Sequence, residues 1–182
     1  MNHIGTQTIE TDRLILRKAR PADAQFMFNN WASDDEVTKY LMWQSHKNLK
    51  ESKERIDFLI NNYKRPDYYD WLIELKELGE PIGSIGVVEL KENVNAVHIG
   101  YCIGKKWWHK GITSEALSAV IDFFFNKVGA KRIESRHDPR NVNSGKVMQK
   151  CGMQYEGTFR KADINNQGVC DAAYYAILKS EY

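Results

Sequence analysis

Ile99-Gly100-Tyr101-Cys102-Ile103-Gly104-Lys105-Lys106-Trp107-Trp108-His109-Lys110-Gly111-Ile112-Thr113-Ser114-Glu115-Ala116 is the stretch that decides the fold. A β-rich run ends, a loop turns, and a long amphipathic helix begins. From Ser114 onward, Leu117, Val120, Ile121, Phe124, Phe125 and Val128 keep a 3.6-residue period up to Gly129, which reads as a C-cap. A strand before the helix, Val97 to Ile103, and one after it, Arg132 to His137, then make a parallel strand–helix–strand unit. The first turns of such a helix leave backbone N–H groups without partners, and the macrodipole adds positive potential. An anion site results. Gly111 lets the backbone approach a phosphate closely, and Thr113 and Ser114 can cap the helix or add hydroxyl donors. The same residues equally fit a plain capped helix following a strand. Neither Gly-x-x-x-x-Gly-Lys-Ser/Thr nor Gly-x-Gly-x-x-Gly is present, which excludes the P-loop and the dinucleotide fingerprint.

Outward from this segment the punctuation is regular. Leu14 to Arg17 reads as a first strand, and Arg20-Pro21-Ala22-Asp23 opens a helix whose apolar face carries Ala24, Met27, Phe28 and Trp31. A second helix starts at Asn48 as N-cap with Glu51 three residues on, burying Ile56, Leu59, Ile60 and Tyr63. Tyr69 to Glu77 and Pro81 to Leu90 form a hairpin around Leu78-Gly79-Glu80. A short helix spans Asn143 to Lys150 and stops at Cys151-Gly152. Strands from Met153 to Lys161 and Val169 to Leu178 follow, joined by Asn165-Asn166-Gln167-Gly168. The pattern implies α/β architecture with a mixed sheet, antiparallel first and parallel across Val97 to His137.

Bulk properties set outer limits. With 182 residues the chain suits one domain, residues 1–182. A net charge of +2 argues no nucleic-acid partner by itself. No apolar run approaches the roughly 20 residues of a membrane span, so no membrane partner is expected. The opening Met1 to Arg13 lacks a signal peptide's apolar core, and Cys102, Cys151 and Cys170 have no metal-ligand or redox spacing. A cytoplasmic setting with packing cysteines and no metal is the expectation.

Trp107-Trp108-His109-Lys110-Gly111-Ile112-Thr113-Ser114-Glu115-Ala116 resembles the pyrophosphate-binding motif of GNAT acetyltransferases. The likeness is to their RimJ/RimL-like branch, the ribosomal-protein N-terminal acetyltransferases, which typically reads Tyr-Trp-Gly-Lys-Gly-Tyr-Ala-Thr-Glu-Ala here. Asn141-Val142-Asn143-Ser144, Val147 to Met153 and Glu156-Gly157 are similar to a second block of that branch. Thr11 to Arg17 resembles its opening, and Asp171 with Tyr174 its final strand. The resemblance covers nearly the whole chain. It implies a GNAT fold: a mixed, mostly antiparallel seven-stranded sheet with a central parallel β-α-β unit and four helices.

By this resemblance the protein is an N-acetyltransferase with acetyl-CoA as co-substrate and an amine acceptor as partner. The amides of His109, Lys110, Gly111, Ile112, Thr113 and Ser114 would hold the pyrophosphate. The edge of Tyr101, Cys102 and Ile103 would pair with the pantetheine arm, and Asn141 would bond the pantetheine or acetyl region. Trp108 replaces the usual Gln or Arg, Thr113 a Gly or Ala, and His109 a common Gly. His98 stands where the branch often keeps an acid, making it a candidate base, with Glu89 its rival. The tyrosine that many members use to protonate the leaving thiolate is here Met148, and Ser144 is the substitute, or else only a helix cap.

The acceptor side falls to the first two helices and the last hairpin, with Trp43, His46 and Tyr63. The branch implies a protein or peptide N-terminal amine. A polyamine or aminoglycoside remains open, and would need carboxylates such as Asp34, Asp35 and Glu36. A non-catalytic acyl-CoA sensor, a nucleic-acid module built on Lys105, Lys106 and Lys110 with Trp107 and Trp108, and a homodimer are further alternatives.

Overall fold

The computed structural model describes residues 1–182. Eight strands form one sheet in the order β1-β2-β3-β4-β5-β6-β8-β7. They are β1 (Ile9–Glu10), β2 (Leu14–Arg17), β3 (Asp70–Leu75), β4 (Glu80–Lys91), β5 (Ala96–Ile103), β6 (Arg132–His137), β7 (Gln154–Asn165) and β8 (Gly168–Leu178). Only β5 and β6 are parallel, and every other neighbour is antiparallel. The sequence pattern gives seven strands; the eighth is β1, whose two residues are too short to carry a period of two.

Five helices accompany the sheet: α1 (Asp23–Met27), α2 (Asp35–Thr38), α3 (Leu49–Asn62), α4 (Ile112–Phe123) and α5 (Val142–Lys150). The fifth, missing from the expected four, is α2, a single turn whose N-cap Asp34 accepts from the Glu36 amide. Asn48 caps α3 by accepting from the Glu51 amide, as its spacing predicts. Both α1 and α4 end in a π-helical turn, Phe28–Ala32 and Phe124–Val128, and Gly129 closes the latter at φ +83°.

Alternation along β3 divides the core. Trp71 faces α4 and packs edge-on against Phe123 and Phe124, at centroid distances of 5.5 and 6.2 Å. Leu72, the next residue, faces the other way, into a cluster with Trp31, Ile56 and Leu59 from the α1 and α3 side. Each such fully buried side chain contributes about 1.5–3 kcal/mol. Consequently the even-numbered residues of β3 point to the α1/α3 face.

The parallel pair is short. Ala96, Val97 and His98 pair with Arg132, Ile133 and Glu134, and the ladder stops there. Beyond it the Ser135 hydroxyl donates to the Ile99 carbonyl at 2.8 Å, a side chain taking the place of a ladder bond. At the closed end, buried Glu134 receives Lys91 and Arg132. The two strands therefore open as a V, with Tyr101 to Ile103 along one arm.

Candidate active site

The mouth of the V leads to the start of α4. Its N-cap is Gly111 at φ +73°, with no side-chain cap bond. Of the two roles open to Thr113 and Ser114, capping is thus not used, because the left-handed turn at Gly111 brings the backbone into the helix first; their hydroxyls stay available as donors. The Glu115 amide donates to the Gly111 carbonyl at 3.1 Å, so the Gly111, Ile112, Thr113 and Ser114 amides precede the first closed turn. His109 also has positive φ, +60°, which exposes the backbone of this turn. A Cβ on Gly111 would lie 3.5 Å from Lys150 Nζ and 3.7 Å from an Arg13 guanidinium nitrogen, so two cations flank the same spot.

A cavity of about 710 Å³ runs from this point along β5, lined among others by His109, Gly111, Thr113, Asn141, Ser144 and Lys150. Tyr101, Cys102, Ile103, Ile112 and Ser114 line it too. Lys110 does not; its carbonyl accepts from Arg13 at 3.0 Å. Because Ser135 marks Ile99 as facing the gap, Tyr101 and Ile103 present their backbone groups the same way. The Ile103 carbonyl is already taken by the Trp108 indole N–H at 2.9 Å. Trp108, a departure from the family pattern, therefore occupies part of the edge expected to meet pantetheine, and leaves the free backbone groups at Tyr101.

A second cavity, the inner one, of about 280 Å³, adjoins the first and shares Tyr101, Cys102, Asn141 and Ser144 with it. At this junction the Tyr101 hydroxyl donates to the Ser144 carbonyl at 3.0 Å, and the two hydroxyls lie 3.1 Å apart. Burial raises the pKa of Tyr101, so it stays a neutral phenol. Either hydroxyl can be the donor between the two, so the Ser144 proton is free to turn toward the cavity. Ser144 does not cap α5; Asn141 holds that position, also without a side-chain cap bond.

His98 faces the inner cavity and is 3% exposed. Burial, and then the Arg136 guanidinium whose nitrogen lies 3.3 Å from Nδ1, push its pKa down to about 4. Glu89 lines neither cavity: its side chain is 53% exposed and stands 3.9 Å from Lys91 Nζ. The lining ends at Val88, where a bulge breaks the register between Val87 and Glu89. Glu89 thus lies outside the place the sequence reading gives it.

The sequence reading missed Asp70 altogether. Its Oδ2 accepts from Arg55 at 3.0 Å, and its buried Oδ1 has no partner. Desolvation raises its pKa to about 7 despite that arginine. The apolar run after it was a usable signal: Asp70 shares a strand face with Leu72, so its carboxylate had to point inward.

Other expected acceptor residues scatter. Tyr63 uses its hydroxyl to accept from the Ala19 amide, and His46 packs on Trp43 with Nδ1 against the Ser52 hydroxyl. Trp43 alone of the three lines the inner cavity. Asn166, in the last hairpin's turn, donates to the carbonyls of Thr38 and Trp43, clamping that loop over the cavity. The acidic cluster is consumed locally: Asp34 caps α2, Asp35 binds Ser45 and Lys47, and Glu36 pairs with Lys105. Trp107 is buried in the core, which removes it from any exposed stacking surface. The cysteine thiols are free and desolvated, with raised pKa values. No helix is long and apolar enough to cross a membrane.

Comparison with known proteins gives the family. The acetyltransferase (GNAT) domain family matches residues 13–154. The uncharacterized N-acetyltransferase p20 of Bacillus licheniformis is 31% identical over 176 residues, 97% of this chain and 98% of that one. The ribosomal protein uS5-alanine N-acetyltransferase of Escherichia coli K12 is 28% identical over 156 residues, 82% and 79% of the two chains. Among solved structures, the ribosomal L7/L12 α-N-protein acetyltransferase RimL, in complex with coenzyme A, superposes with a TM-score of 0.84 at 20% identity, covering 94% and 98%.

Proposed function

Because the chain belongs to the GNAT acetyltransferase family and is an N-acetyltransferase with acetyl-CoA as co-substrate, we propose that its acceptor is the N-terminal amine of a peptide or protein. The observation that carries this is the charge pattern of the inner cavity. Each carboxylate lining it is matched to an arginine: Asp70 to Arg55, Asp163 to Arg136 and Asp138 to Arg140. A polyamine or aminoglycoside brings several ammonium groups and calls for a surplus of free carboxylates. One unpaired carboxylate oxygen suits a single ammonium. The named activities of the uS5-alanine enzyme and of RimL, both on protein N-termini, support the same choice.

In this reading the outer cavity holds the co-substrate. Acetyl-CoA supplies the thioester carbonyl that the amine attacks. The amides from Gly111 to Ser114, with Lys150 nearby, would hold the pyrophosphate. The Tyr101 backbone would meet the pantetheine arm, and Asn141 reaches the junction of the cavities. Ser144 would donate its proton to the departing sulfur, oriented by Tyr101. His98 shapes the acceptor side as a neutral imidazole.

The test is an acceptor screen by mass spectrometry, with alanine-, serine- and methionine-initiated peptides, spermidine and kanamycin offered under equal conditions. Acetylation of peptide α-amines is expected, with N-terminally blocked peptides unmodified. Preferential acetylation of spermidine or kanamycin would overturn the peptide assignment.

A further inference from the structure

We propose that Asp70 receives the acceptor's ammonium group and takes its proton, directly or through one water. This deepens the function above and rests on it.

Asp70 pairs with Gly86 on β4, and Gly86 pairs with Gly100 on β5. Paired residues share a face, so the row runs Asp70, Gly86, Gly100 on the α1/α3 side. Two of its three members have no side chain. A Cβ on Gly86 would lie 3.0 Å from Asp70 Cγ and 2.9 Å from the Tyr69 carbonyl. One on Gly100 would lie 2.7 Å from Val88 Cγ2. The result is a glycine-floored trough, about two strand spacings or roughly 10 Å long. Asp70 stands at one end, and at the other β5 has parted from β6.

The carboxylate is held for use. Arg55 fixes Oδ2 from α3, and the Thr6 hydroxyl accepts from the Asp70 amide at 3.1 Å. Oδ1 is left buried without a partner in a cavity that also reaches Tyr101 and Ser144. A buried acceptor left unmatched costs about 1–3 kcal/mol, a cost that an incoming N–H donor removes. The charged or titratable groups around it are Arg55 from α3, Tyr63 at its end, Tyr68 before β3, and Cys102 from β5. Arg55 is the single cation among them. Desolvation outweighs it, which sets the carboxyl near 7, where a general base works efficiently at neutral pH.

The protons balance. The ammonium gives one proton to the Asp70 carboxylate, and the freed lone pair forms the C–N bond at the thioester carbonyl. As the C–S bond breaks, sulfur leaves with the electron pair. The second nitrogen proton reaches that sulfur through Ser144, giving a thiol, and protonated Asp70 releases its proton to solvent.

The experiment uses the full chain with an Ala-Ala-Ala amide acceptor, alongside NMR of the Asp70 carboxyl carbon. With Asp70→Asn, kcat is expected to fall at least about 100-fold, acetyl-CoA affinity to stay within about twofold, and the rise in rate through pH 7 to vanish. With Arg55→Gln, which keeps the carboxylate, that rise should move above pH 7. In the wild type, n-butylammonium chloride should lower the carboxyl's titration midpoint relative to a sodium chloride control. Unchanged peptide turnover by Asp70→Asn, or a midpoint insensitive to n-butylammonium, overturns the proposal. If the wild type acetylates no peptide, the acceptor assignment fails on its own, and the n-butylammonium titration still decides the role of Asp70.

Discussion

Arg13 grips Glu115 across 102 residues of sequence, with Nε 2.7 Å from Oε2. The same guanidinium donates to the Lys110 carbonyl, and Thr11 and the Arg13 amide hold the other Glu115 oxygen. The N-terminal Thr-Asp-Arg motif is thereby explained as a brace. It fixes the turn before α4 and neutralises an acid that would otherwise repel a phosphate at the helix start.

Removing that brace should act on cofactor binding more than on stability. Arg13 is 47% exposed, so the ion pair itself contributes little to folding. For Arg13→Ala we expect acetyl-CoA affinity to fall about tenfold, or about 1.4 kcal/mol, by calorimetry, with a shift in melting temperature of only a few degrees. Unaltered affinity would show that the brace has no part in binding.

The Tyr101–Ser144 contact should appear in turnover. Ser144→Ala is expected to slow thiol release roughly 10- to 100-fold, the low end for a lost general acid, since thiolate already leaves well. Acetyl-CoA affinity should hold. If the two hydroxyls act as one relay, Tyr101→Phe combined with Ser144→Ala should be no slower than the slower single variant. Full additivity would separate their roles.

Two groups in the inner cavity bend stability against pH in opposite directions. His98, lowered to about 4 from 6.5, stays neutral in the fold while the unfolded chain protonates; stability is lost as pH falls from 6.5 towards 4. Asp70, raised to about 7 from 3.8, stays protonated in the fold, so its contribution is complete below 3.8 and lost as pH rises to 7. Denaturant melts at pH 4.5, 6 and 7.5 should show His98→Asn losing less stability than wild type on acidification. Asp70→Asn should gain on wild type as pH rises. Parallel curves for all three proteins would refute both assignments.

These contrasts show what the sequence could reveal. Elements governed by local rules were legible: the Asn48 cap with Glu51, the period from Leu117 to Val128, and the stop at Gly129. The parallel unit followed from its helix. What stayed hidden depends on partners distant in sequence. Glu89 and His98 are cross-strand partners, yet the bulge after Val87 leaves one outside the cavity and the other buried. Trp108 looked like a lapse in a motif, and only its bond to the Ile103 carbonyl shows what it does. Asp70 sits in an aromatic run, and its meaning comes from Arg55 and Gly86, which packing and strand pairing bring to it.

A crystal structure of the chain with coenzyme A tests most directly whether the free amides of α4 grip the cofactor. The account predicts the pyrophosphate oxygens within hydrogen-bond distance of the Gly111 to Ser114 amides, with Lys150 close by and the thiol end at Tyr101 and Ser144. Phosphates bound elsewhere, with those amides facing only water, would contradict it.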